Sequence, residues 1–292
     1  MELPIEIFDH VRNIFGSVDN AVSKKISLTP NTPEESLDIA FIESLSHHSA
    51  PRVVCPGWVI RISSHFIGSI RHFRRYEVAD IGVVVVFKQR TKVLKRKLVL
   101  LQSKRLYPNN FQVTELDEFD YELGLAMVTR EEPHEAPIFS SVLYEFDSTS
   151  AYGALRANSR QCQTIKDHFD ATEIPVHYMF YNPLVLPWEF SYPVKNLPEL
   201  PLRDFGTRVI EMSAVHGALK DGSAPLKVSD IGKAEANFTF GSSLEDFFVD
   251  VVKCKQGYIY DGEKDIGLRN LFRRKSGPIF SVVEIVIENA SA

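Results

Sequence analysis

The run Ala79-Asp80-Ile81-Gly82-Val83-Val84-Val85-Val86-Phe87-Lys88 is followed by Gln89-Arg90-Thr91-Lys92, and then by Lys97-Leu98-Val99-Leu100-Leu101-Gln102-Ser103-Lys104. β-Branched and aliphatic residues on both sides of a short polar stretch read as two strands, Ile81–Lys88 and Lys97–Gln102, joined at a hairpin tip. In an antiparallel pair the numbers of facing residues have a nearly constant sum. A turn centred between Thr91 and Lys92 sets Asp80 opposite Ser103, beside Gln102 and Lys104. Three polar side chains then meet at one end of two apolar strands.

Outward from the hairpin the pattern alternates between helix and strand. Thr32-Pro33-Glu34-Glu35 opens a helix as a capping box, with Leu37, Phe41 and Leu45 recurring at the helical period. A strand is expected at Trp58–Ile62. A helix is expected over 149–169, with Tyr152, Leu155, Cys162, Ile165 and Phe169 on one face, leading into a strand at Pro175–Tyr181. Further elements are a helix within the acidic stretch (119–128), one capped by Ser242, one over 265–274, and a last strand at Ile279–Ile287. Residues 1–31 carry only weak patterning. Five prolines between Pro183 and Pro201 mark the best internal boundary. The expected organisation is an N-terminal segment 1–31, a core 32–182 with an acidic insertion 108–148, a connector 183–201 and a C-terminal α/β extension 202–292. The class is α/β or α+β, with a mixed central sheet flanked by helices.

Charge is unevenly placed. The net charge of −5 conceals a segment, 52–105, holding thirteen Lys or Arg and two acids, a balance of +11. Between Glu115 and Asp147 ten acids face the single Arg130. A basic island on an acidic chain reads either as a polyanion-binding face or as a solvated hairpin whose lysines guard a sheet edge. Three cysteines (Cys55, Cys162, Cys254) without a Cys-x-x-Cys pair argue against a disulfide framework and a structural zinc site. They point to the reducing cytoplasm. No apolar run is long enough for a membrane helix, and the Met-Glu-Leu-Pro-Ile-Glu start carries acid where a secretory signal carries Lys or Arg. Dinucleotide, P-loop, zincin and α/β-hydrolase motifs are absent.

Asp80, the apolar strands and Gln102-Ser103-Lys104 provide the groups that phosphodiester cleavage uses. A carboxylate and neighbouring oxygens can hold Mg²⁺, and a nearby lysine can orient water or offset charge on the phosphorane. Lys104 is the one lysine of the chain preceded two positions earlier by Glu, Gln or Asp. Taken together, Asp80 and Gln102-x-Lys104 resemble the active-site hairpin of the PD-(D/E)XK, or restriction-endonuclease-like, superfamily. The similarity is strongest to the variant with Gln in place of the acid, as in Mrr-type restriction enzymes. Ala79 stands where that family's proline stands.

The resemblance implies a restriction-endonuclease-like core and a cytoplasmic, Mg²⁺- or Mn²⁺-dependent nuclease, the effector of a bacterial or archaeal restriction or antiviral defence system. It implies DNA, or RNA, as partner, with a helicase or sensor protein and oligomerisation compatible with it, and no membrane. Asp80, the Gln102 side chain and the Ser103 carbonyl would hold the ion, and the Lys104 pKa is expected to fall beside it. Glu43, on the helix after the capping box, is the candidate for the family's additional acid, with Glu35 and Glu77 as alternatives. Arg71, Arg74, Arg75, Lys88, Arg90, Lys92 and Lys95 are expected to track the phosphate backbone. The alternative is a non-catalytic nucleic-acid-binding or scaffolding subunit that keeps the fold.

Overall fold

The computed structural model describes residues 2–67, 78–109, 142–153, 155–192, 198–219, 224–234, 241–260, 271–272 and 279–291. The expected helices over 119–128 and 265–274 lie outside these, apart from Leu271 and Phe272. So do Arg71, Arg74, Arg75 and Glu77.

The hairpin forms as read. Strand β3 (Ala79–Gln89) and strand β4 (Lys92–Arg105) are joined through Arg90 and Thr91, with Arg90 at φ 51° to close the two-residue turn. The pairing differs from expectation by one residue. Ile81 faces Leu101 and Phe87 faces Lys95, but Lys88 faces Val93, so Leu94 is the extra residue of a bulge. The main register carries Asp80 toward Gln102 rather than Ser103.

Strands β1 (Arg52–Cys55), β2 (Trp58–Phe66), β5 (Val142–Phe146), β6 (Ala151–Tyr152), β7 (Val176–Tyr181), β8 (Trp188–Tyr192), β9 (Arg208–Glu211), β10 (Leu226–Lys227), β11 (Ser242–Ser243), β12 (Tyr258–Tyr260) and β13 (Ile279–Asn289) complete the strands named here. The main sheet runs β1-β2-β13-β3-β4-β7-β9-β11, with β12 also on β4. Strand β13 is antiparallel to β2 and parallel to β3, while β7 is parallel to β4. The sheet is therefore mixed, as expected. It does not divide at the prolines. Strand β8 lies inside the expected connector and pairs with β5, and β13 of the expected extension sits between β2 and β3.

Helix α1 (Ile5–Leu28) fills the segment expected to be weakly patterned. Ile7, Val11, Ile14, Val18, Val22 and Ile26 form its buried stripe, each worth on the order of 2 kcal/mol in hydrophobic transfer before entropy is counted. Asp19, Ser23 and Ser27 share that face and interrupt its apolar pattern. Asp19 accepts from Ser23 Oγ (2.9 Å), Thr207 N (2.7 Å) and Arg203, which keeps a buried carboxylate satisfied.

Helix α2 (Glu34–Ser46) buries Leu37, Phe41 and Leu45, yet the capping box is not made. Pro33 is the N-cap, and the Thr32 hydroxyl turns back to the Thr29 carbonyl (2.8 Å). Helix α3 (Arg160–Thr172) starts later than expected because Ser159 caps it, its hydroxyl accepting from Cys162 N (3.2 Å). Upstream, Asp147 Oδ1 accepts from Thr149 N (2.6 Å) and Ser150 N (3.2 Å), folding 147–150 into a turn. Helices α4 (Met212–Ala218), α5 (Val228–Ala234) and α6 (Leu244–Val252) follow, α6 capped by Ser243 rather than Ser242. Phe15 of α1 stacks on Phe248 of α6 with ring centroids 3.6 Å apart. Among the described residues no helix is long and apolar enough to cross a membrane.

Candidate functional site

Asp80, Gln102, Ser103 and Lys104 are brought together where β3 begins and β4 ends. Asp80 Oδ2 accepts from Gln102 Nε2, from Ser103 N (2.7 Å) and from Ser103 Oγ (2.9 Å). All four residues are buried, Gln102 completely and Lys104 at 3% exposure. The Gln102 amide oxygen is buried without a hydrogen-bond partner. A buried acceptor left open is costly. A half-turn of the amide exchanges its two ends, so the group can present either oxygen or nitrogen beside Asp80.

Helix α2 supplies two more acids, one turn apart. Lys104 Nζ donates to Glu34 Oε1 (2.8 Å) and to the Ser103 carbonyl (2.6 Å), and Arg105 N donates to Glu34 Oε2 (3.2 Å). Asp38 accepts from Tyr181 Oη (2.8 Å) and Ser103 Oγ (2.9 Å). The Ser103 hydroxyl thus lies within hydrogen-bond reach of both Asp38 and Asp80, its single proton serving one carboxylate at a time. The Arg105 guanidinium donates to the carbonyls of Pro30 (2.6 Å) and Thr32, locking the loop that presents Glu34.

Glu43 is not part of this cluster. It is exposed on α2, and nine residues at about 100° each put it roughly 180° around the helix from Glu34. Glu35 is likewise exposed. Glu34 had a visible signal, its place in the first turn of the helix from which the resemblance draws an additional acid. Asp38, at i+4, shared it. Tyr181 had none beyond ending the strand parallel to β4.

The cluster is electrostatically strained and nearly balanced. Burial pushes the Asp38 carboxyl well above the ordinary range, and the neighbouring charges of Asp80 and Glu34 add to this. Burial raises Glu34 too, although Lys104 opposes the shift. For Lys104, burial favours the neutral amine, but the carboxylates of Glu34, Asp80 and Asp38 outweigh it and hold the ammonium above its usual value. In the protein itself Lys104 is a committed cation.

The basic island separates into two populations. Lys97, Lys104 and Arg105 are buried and spend their hydrogen bonds inside the protein, Lys97 on the carbonyls of Val251 (2.7 Å) and Gln256. Lys88, Arg90, Lys92 and Lys95 stand at the other end of the hairpin. At about 3.3 Å per residue they lie roughly 23–33 Å along the hairpin from Asp80. The structure therefore places these four away from the polar cluster.

Among the described residues no three His, Cys, Asp or Glu side chains converge as a metal cage. The donors that fit a hard cation are the Asp80 carboxylate, the Ser103 carbonyl and the open Gln102 oxygen, all oxygens as Mg²⁺ prefers. No family model matches the chain, and no curated protein and no solved structure matches it.

Proposed function

We propose that the chain is a Mg²⁺- or Mn²⁺-dependent DNA endonuclease of restriction-endonuclease-like design, serving as the effector of a bacterial or archaeal defence system. The observation that carries this reading is the meeting of Asp80, Gln102, Ser103 and Lys104 with Glu34, from two strands and a helix, at one end of the hairpin. The order α2, β2, β3, β4, α3, β7, with β7 parallel to β4, supports it.

Asp80, the Gln102 oxygen and the Ser103 carbonyl would hold the ion, which supplies charge neutralisation and a more acidic bound water. Lys104, fixed as an ammonium by Glu34, offsets the charge that builds on the phosphorane. Glu34 takes the role expected of Glu43. Its side chain is 21% exposed and its raised pKa makes it a better base than an ordinary carboxylate for the attacking water.

The test is incubation of supercoiled plasmid with the protein under Mg²⁺, Mn²⁺ or EDTA, with a structured RNA in parallel. We expect metal-dependent nicking of DNA that Lys104→Ala abolishes while retention of DNA on a filter persists. Equal nicking by Lys104→Ala, or nicking in EDTA, overturns the assignment. A second reading, a nucleic-acid-binding or scaffolding subunit, is favoured by the burial of the cluster and its bonding to itself. Salt-sensitive DNA binding without any metal-dependent cut selects that reading.

A further inference from the structure

At the hairpin tip, remote from Asp80, the bulge turns Leu94 outward, where it is 42% exposed. It borders a cavity of about 560 Å³ lined by Leu3 and Phe8 at the start of α1, Phe87 and Lys95 of the hairpin, and Val252, Lys253 and Cys254 at the end of α6, with Glu2. That volume falls in the ordinary range for small-molecule sites, about 300–1,000 Å³.

The cavity has an apolar body and a cationic rim. Leu3, Phe8, Phe87, Leu94 and Val252 supply the walls. Two ammonium groups stand over them against one carboxylate, that of Glu2. Among the described residues Lys95 Nζ has a hydrogen-bond contact only with the Cys254 thiol, at 3.7 Å, and sulfur is a weak acceptor. Lys253 Nζ lies 4.9 Å from the centre of the Phe8 ring. Among the described residues neither lysine makes an ion pair.

We propose that this cavity binds a small amphipathic anion, a hydrocarbon body carrying one carboxylate or phosphate head. The head sits between Lys95 and Lys253, and the body lies on Leu94, Phe87 and Val252. A nucleotide suits the walls less well. Lys253 already covers the Phe8 ring, Phe87 is 4% exposed, and once the two lysines take the anionic head only Glu2 and Cys254 among the side chains are left to read a base edge. The site is independent of the nuclease reading, since it uses the opposite end of the sheet.

The experiment is calorimetric titration of the full chain, below micelle-forming concentrations, with dodecanoate, dodecyl phosphate and dodecyltrimethylammonium. The three share a tail and differ in the head. We expect one molecule of dodecanoate or dodecyl phosphate to bind per chain, the stronger of the two identifying the head, and the trimethylammonium compound to bind at least tenfold more weakly. Lys253→Glu and Leu94→Asp, both at exposed positions, should each weaken the anion at least tenfold. Equal binding of all three probes, no binding of either anion, or anion binding unmoved by both substitutions overturns the proposal.

Discussion

The two ends of the β3–β4 hairpin carry similar residues and treat them in opposite ways. At the open end, where β3 begins and β4 ends, Lys104 and Arg105 are buried, and each is held by carboxylate or carbonyl oxygens. At the tip Arg90 and Lys92 are exposed, and among the described residues Lys95 has a hydrogen-bond contact only with a thiol. Burial makes the difference. A charge taken from water must find partners or change its protonation, whereas a solvated one needs neither. Lys97, buried in the same strand among carbonyls and without an acid, shows the intermediate case, and its pKa is lowered where that of Lys104 is raised.

The comparison is broken most severely by removing Lys104. Lys104→Met leaves Glu34, Asp38 and Asp80 facing one another, and we expect a loss of about 3 kcal/mol, read as a lower urea midpoint. Glu34→Gln in that background should recover part of it; no recovery would mean that the pair is not coupled.

A subtler cut acts on Asp38. Its folded-state pKa lies above the unfolded value, so between the two the folded chain keeps a proton that the unfolded chain has lost. Stability from this group is therefore present below about pH 4 and declines as pH rises toward the folded pKa, by at most about 1.4 kcal/mol per pH unit. Asp38→Asn cannot ionise, and should flatten that slope in urea titrations from pH 4.5 to 7.5. A slope identical to that of the parent protein would show Asp38 to be charged in the fold.

The tip gives the smallest response. Replacing Lys88, Arg90 and Lys92 by Gln should leave the urea midpoint unchanged. If these side chains neutralise phosphates, the log–log salt slope of DNA binding drops by about 0.9 for each phosphate that the variant leaves to its counterions.

The hairpin, the strand Val176–Tyr181 and the buried face of α2 were legible because their apolar runs follow one period. The register was misread because the turn centres on Arg90–Thr91, one position earlier than the polar run suggests, and the bulge at Leu94 recovers only half of that offset. Helix α1 was hidden by Asp19, Ser23 and Ser27, of which Asp19 and Ser27 find partners far along the chain and Ser23 bonds to Asp19. Asp80, Gln102 and Lys104 could be placed together from strand geometry. Choosing Glu34 over Glu43 needed the angle around the helix, and also the loop that Arg105 ties down. The placement of β13 had no local signal at all, because strand neighbours distant in sequence are selected by tertiary packing.

That placement governs the order of assembly. Until Ile279–Asn289 is synthesised, β2 and β3 have an open slot between them, with the backbone amides and carbonyls on both sides unpaired. The hairpin can close early, but the platform under α1 and α2 is finished only by a segment made long afterwards. A nascent or truncated product ending before Ile279 therefore exposes two adhesive borders at once, the condition under which chains join one another instead of completing themselves.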